Sequence, residues 1–124
     1  MRKIFFVLAL AIAGLVTLTN SAAAQDVWIS SGGNGTDWYI MDETITGDDK
    51  GKFRWTNVMT KLVADDGSCI GVEWQFTQTN PNGGRLANWV YVTVWDNAPN
   101  PSTEVLSGTN AEKILLYCLN RLNM

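Results

Sequence analysis

Four clusters of turn-forming residues cut residues 26–96 into short lengths, and this spacing restricts the fold more than any other feature. They are Ser31-Gly32-Gly33-Asn34-Gly35, Gly47-Asp48-Asp49-Lys50-Gly51, Asp65-Asp66-Gly67 and Asn80-Pro81-Asn82-Gly83-Gly84. Each holds residues that accept a positive φ or bond their own backbone. Between them lie stretches rich in Val, Ile, Thr, Trp and Tyr, which favour a pleated surface. Strands are expected near 26–31, 37–46, 52–64, 69–79 and 86–96, joined as an antiparallel meander.

Alternation assigns the faces. In the fourth segment Ile70, Val72, Trp74 and Phe76 alternate with Gly71, Glu73, Gln75 and Thr77, so the first set is expected to be buried and the second in water. In the third, Phe53 and Trp55 share one parity, whereas Val58 and Leu62 share the other. A bulge near Thr56–Asn57 would reconcile them. In the fifth, Val90, Val92 and Val94 oppose Trp89, Tyr91 and Trp95. Both faces are apolar there, which suits a central strand, or else an aromatic face used for contact.

The period changes at the end of the sequence. Ala111, Ile114, Leu115, Cys118 and Leu122 form one apolar helical stripe, with Thr109 or Asn110 as N-cap. Glu112 falls in the first turn and Arg121 in the last, as the helix dipole favours. The expected fold is therefore α+β: a small antiparallel sheet of about five strands with a C-terminal helix packed on it.

Residues 1–24 have the pattern of a signal peptide. Arg2 and Lys3 precede an apolar run from Ile4 to Leu18, and Ala22-Ala23-Ala24 ends in a small-residue cleavage pattern. A run of this length falls short of the roughly 20 apolar residues of a membrane span. No cysteine lies near its end, so no lipid-modified N-terminus is expected. Cleavage after Ala24 would leave one domain, 25–124, periplasmic or secreted and with no membrane span. Two of the nine basic residues are lost with the leader, leaving seven against twelve acids and a net charge of −5. That balance disfavours nucleic acid.

Cys69 opens one strand and Cys118 lies on the apolar stripe of the helix. In an exported chain the pair is expected to form a disulfide stapling helix to sheet, although Cys69 shares the parity of Glu73. The closed loop would contribute roughly 4 kcal/mol by chain entropy.

The chemistry of catalysis is sparse. The chain has no histidine, which removes the usual base for a serine or cysteine nucleophile and the commonest zinc ligand. Asp48-Asp49 and Asp65-Asp66 fall in turns, where Asp bonds locally. Gly32-Gly33-Asn34-Gly35 lacks the lysine and helix of a phosphate loop. Neither enzymatic activity nor a metal or cofactor is expected.

The order of features resembles the surface-adhesin protein E family of small exported bacterial proteins. Trp28 is followed by a glycine-rich turn, then Trp38-Tyr39-Ile40-Met41-Asp42 and Glu43-Thr44-Ile45, a strand centred on Trp55, and Cys69 opening a later strand. Pro101-Ser102 then precedes Ile114-Leu115-Leu116-Tyr117-Cys118. The resemblance implies an antiparallel sheet with a C-terminal helix tied by a disulfide, and binding of host extracellular proteins. The lipid-modified cysteine of a surface-tethered protein is absent, and no binding residue of the family carries over.

Three functions remain open. The first is a non-catalytic interaction protein with an extracellular or periplasmic protein partner, contacted through Trp89, Tyr91 and Trp95, since interface cores favour such rings. The second is carbohydrate recognition by the same rings, with Asn88, Asn97 and Gln75 as polar partners. The third is inhibition of a secreted enzyme, an acidic face meeting a basic cleft.

Overall fold

The computed structural model describes residues 26–124; the expected leader lies outside the described residues. The strands are β1 (Asp26–Ser31), β2 (Asp37–Met41), β3 (Thr46–Asp48), β4 (Arg54–Val63), β5 (Cys69–Gln78), β6 (Trp89–Trp95), β7 (Ala98–Pro99) and β8 (Thr103–Glu104), followed by helix α1 (Asn110–Leu122). All strand pairs are antiparallel. The eight strands form one sheet in the order β1-β2-β4-β5-β6-β7, with β3 also on β4 and β8 also on β6. The meander and the terminal helix are as expected; the strand number is larger.

The added strands come from two interruptions. The expected 37–46 strand breaks at a 3-10 turn, Asp42–Thr44, and resumes as β3. Inside that break the Thr44 hydroxyl donates to Met41 O at 2.7 Å and accepts from Met59 N at 2.9 Å, giving a β4 amide a partner where the backbone has turned away. The second interruption lies beyond β6. Asp96 and Asn97 take φ of 49° and 63°, closing a two-residue hairpin that pairs Trp95 with Ala98. Pro99 and Pro101 then keep the returning chain to two-residue strands.

The helix covers one face of the sheet. Trp38, Ile40, Val58, Val72, Trp74, Phe76 and Trp89 pack there against Ala111, Ile114, Leu115, Cys118 and Leu119. Buried threonines on the same face are satisfied locally: Thr60 Oγ1 donates to Val72 O and accepts from Trp74 Nε1, and Thr56 Oγ1 donates to Thr46 O. Alternation in β5 holds for Val72, Trp74 and Phe76, but Ile70 is 49% exposed. No bulge occurs in β4, which pairs with β5 in unbroken register from Arg54 to Val63, leaving Phe53 and Trp55 exposed. The bulge is in β1, between Trp28 and Ser30.

The expected disulfide is absent: Cys69 and Cys118 are both free thiols, one exposed and one buried. The sulfur of Cys118 reaches the Thr56 hydroxyl, and Thr56 pairs with Phe76. Cys69 is seven positions from Phe76 on β5 and has the opposite parity. At about 3.3 Å per residue the two cysteines are separated by roughly 20 Å along the strand as well as by the sheet itself. A bridge needs Cα atoms within about 7 Å.

Polar contacts fasten the helix instead. Ser30 Oγ donates to Asn110 Oδ1 at 2.7 Å near its start, and Tyr117 Oη donates to Asp42 Oδ1 at 2.9 Å near its middle. At its end Arg54 Nη2 donates to Met124 O at 2.8 Å, and Arg85 Nη2 donates to Asn120 Oδ1 at 2.7 Å. The Thr109 hydroxyl caps the N-terminus by accepting from Glu112 N, and Asn123 ends the helix in the left-handed region.

Candidate functional site

Trp89, Tyr91 and Trp95 do share one face of β6, and it is the face beneath which the core lies. Their cross-strand neighbours are Gln78, Phe76 and Val72, all buried. Trp89 is 1% exposed, its Nε1 donates to Arg85 O at 2.8 Å, and the Arg54 guanidinium lies 5.8 Å from its ring centre. It is a core residue and leaves the candidate contact surface. Tyr91 and Trp95 are half-buried. Trp95 packs edge-on against Trp38 at 6.2 Å, and Tyr91 lies 5.2 Å from Trp74, so both form the margin of an aromatic cluster. The polar partners expected for a sugar are not brought together. Asn88 Nδ2 is occupied by Asn80 O and Asn82 O, and Gln75 points to the other side of the sheet.

That other side is the better candidate. No described element covers it, and its residues are half-buried or exposed throughout. The register lines them up in rows across β4, β5 and β6: Trp55, Thr77 and Val90; Asn57, Gln75 and Val92; Met59, Glu73 and Val94. Tyr39 and Trp28 continue the face across β2 and β1. Trp28 is 55% exposed, and its Nε1 donates to Asp37 Oδ1 at 3.1 Å, which holds the ring in place. Sequence alternation had already set Val90, Val92 and Val94 apart from the aromatic set. What it lacked was the placement of the helix, which decides which set is covered.

One region of this face is concave. Met59, Gly71, Glu73, Val94, Asp96 and Asn97 line a depression of about 420 Å³. Gly71 creates it: Lys61 lies directly opposite on β4, and Gly71 contributes no side chain to fill the row. Lys61 leans the other way, its Nζ 2.6 Å from Asp26 Oδ2. That contact, partly opposed by burial, raises the lysine above its ordinary value. Among the described residues, no group of three or more His, Cys, Asp or Glu side chains is placed to hold a metal ion. Nor is any described helix long and apolar enough to cross a membrane.

No protein-family model matches the chain, and neither the curated proteins nor the solved structures contain a match to it.

Proposed function

We propose that the chain is an exported, non-catalytic binding protein that meets a protein partner, in the periplasm or outside the cell, through the uncovered face of its sheet. The carrying observation is the asymmetry of that sheet. One face is buried beneath α1, whereas the other presents Trp28, Tyr39, Trp55, Met59, Val90, Val92 and Val94 with no described element over them. Aromatic, methionine and valine side chains bordered by charges suit the centre and rim of a protein interface. The absence of histidine from the sequence, the leader-like N-terminus and the likeness to the surface-adhesin protein E family support the same reading.

The experiment compares capture of partners from the extracellular medium by three forms of the exported protein. Val92→Arg places a charge at the centre of the open face, and Lys113→Glu alters an exposed residue of the helix. The expected outcome is a partner retained by wild type and Lys113→Glu and lost by Val92→Arg, with equal thermal stability in all three. A partner captured equally by all three ends the reading. N-terminal sequencing of the same preparation should begin at Gln25.

A further inference from the structure

The depression on the open face has a chemistry distinct from the valine and tryptophan rows around it. Its walls are Met59 and Val94, direct neighbours of Glu73 on either side. Asp96 and Asn97, in the hairpin that follows β6, close one end. Among the described residues neither Glu73 nor Asp96 makes a side-chain hydrogen bond or ion pair. Lys61 is the nearest cation by register, and its ammonium is already engaged by Asp26. The site thus combines unneutralised negative charge with hydrocarbon walls, in a volume of about 420 Å³. Binding clefts and cavities are commonly about 300–1,000 Å³.

We infer that this depression receives a cationic side chain, arginine or lysine, projecting from the partner protein. The inference rests on the binding role proposed above and names the partner's chemistry at that face. Long basic side chains are amphipathic, with a hydrocarbon stem below a charged head. The stem packs between Met59 and Val94, and the head meets the carboxylates of Glu73 and Asp96. An arginine head adds paired, planar donors suited to carboxylate oxygens. A purely apolar occupant would leave both carboxylates desolvated without a partner, which is costly.

Gly71 allows a test that separates the pocket from the fold. A Cβ built there lies 3.6 Å from Met59 Cε, ordinary contact distance, and meets no backbone atom, so Gly71→Leu can start a side chain into the depression. The probe is a pentapeptide with blocked ends and a central arginine, paired with its citrulline counterpart of the same shape and no charge. Amide chemical shifts of the ¹⁵N-labelled protein report the site. With the arginine peptide, Gly71, Glu73 and Val94 should shift, with little change from the citrulline peptide. Glu73→Gln should weaken the response about tenfold, the scale of one charge-assisted hydrogen bond. Gly71→Leu should abolish it at unchanged thermal stability.

Four results would overturn the inference: no shift, equal shifts with both peptides, shifts spread equally over Asp48, Asp49, Asp65 and Asp66, or shifts on concentrating the protein alone. The last assigns the depression to a second copy of this chain. A partner lost by Val92→Arg alongside a negative peptide titration would leave the binding role intact and remove only the cationic site.

Discussion

Tyr117 donates its hydroxyl to Asp42 Oδ1 at 2.9 Å, joining residues 75 positions apart. The contact places the middle of the helix over the 3-10 turn that interrupts the second strand. Arg121 Nε approaches the same oxygen at 3.1 Å, so one carboxylate serves two turns of the helix. Burial, followed by the hydrogen bond to Asp42, raises the tyrosine above its ordinary range.

Tyr117→Phe should therefore lower stability by about 1.5–3 kcal/mol, the usual cost of removing a hydrogen bond to a charged group. Arg121→Ala should cost less than about 1 kcal/mol, because its side chain is largely solvent-exposed. Urea unfolding of both single variants and the double variant reads the two contributions. Equal losses from the two single variants would assign the docking to charge, not to the hydroxyl.

The two thiols should differ sharply in reactivity. Cys69 is exposed on the open face and Cys118 is buried under the helix. A thiol reagent should titrate one equivalent in the native protein and two after unfolding. Cys69→Ser should leave stability within about 0.5 kcal/mol of wild type, as for an ordinary surface substitution. A native protein with no titratable thiol would contradict the structure directly.

Alkaline pH should destabilise the fold through Cys118. Burial, opposed by the Thr56 hydroxyl, pushes its thiol up from an ordinary 9.0 to about 12. Between those values the unfolded chain gives up a proton that the folded chain keeps. Stability is full below pH 9 and falls as pH rises toward 12, by at most about 1.4 kcal/mol per unit. Tyr117 contributes with the same sign, since its folded value is raised too. Urea midpoints from pH 7 to 10.5 should decline more steeply in wild type than in Cys118→Ala. Parallel curves would show that the thiol ionises alike in both states.

Trp89 should behave as a core residue. Trp89→Ala should cost about 3–5 kcal/mol, the range for an aromatic ring removed from a core. It also frees Arg85 O and removes the ring facing Arg54, so the 79–88 segment should gain protease sensitivity. A stable Trp89→Ala variant that simply loses a partner would return the residue to the contact surface.

Legibility in the sequence followed the range of the forces involved. The hairpins at Ser31–Gly35 and Asp65–Gly67 could be read because turn residues act over a few positions; Gly33, Gly35 and Gly67 all take positive φ. The α1 stripe and its Thr109 cap were readable for the same reason. The open face was not, because period-two alternation separates two faces without saying which one a distant helix covers. Val90, Val92 and Val94 look as core-like as Trp89 and Tyr91. The disulfide failed on a similar long-range point, since parity placed Cys69 opposite Trp74 but compartment logic favoured pairing. The Asp42–Thr44 break left only a weak local sign: Asp42 and Thr44 inside an otherwise strand-like segment. The depression had a signal in Gly71, a missing side chain amid alternating larger ones, legible once Met59 and Asp96 are known to line the same hollow.

Strand neighbours largely follow one another along the chain, so the meander can zip from its first hairpin onward as residues arrive. The helix is the exception. It follows every described strand, yet Ser30 in β1 must find Asn110, 80 positions later. Until that thirteen-residue segment docks, Trp38, Ile40, Val58 and Phe76 face water on a finished sheet. Delivered amino-terminus first, the chain passes through a half-sandwich with both sides bare, at which point another copy could substitute its own helix. Folding yield should then depend on how soon residues 110–122 follow β6, making the helix the timing element of assembly.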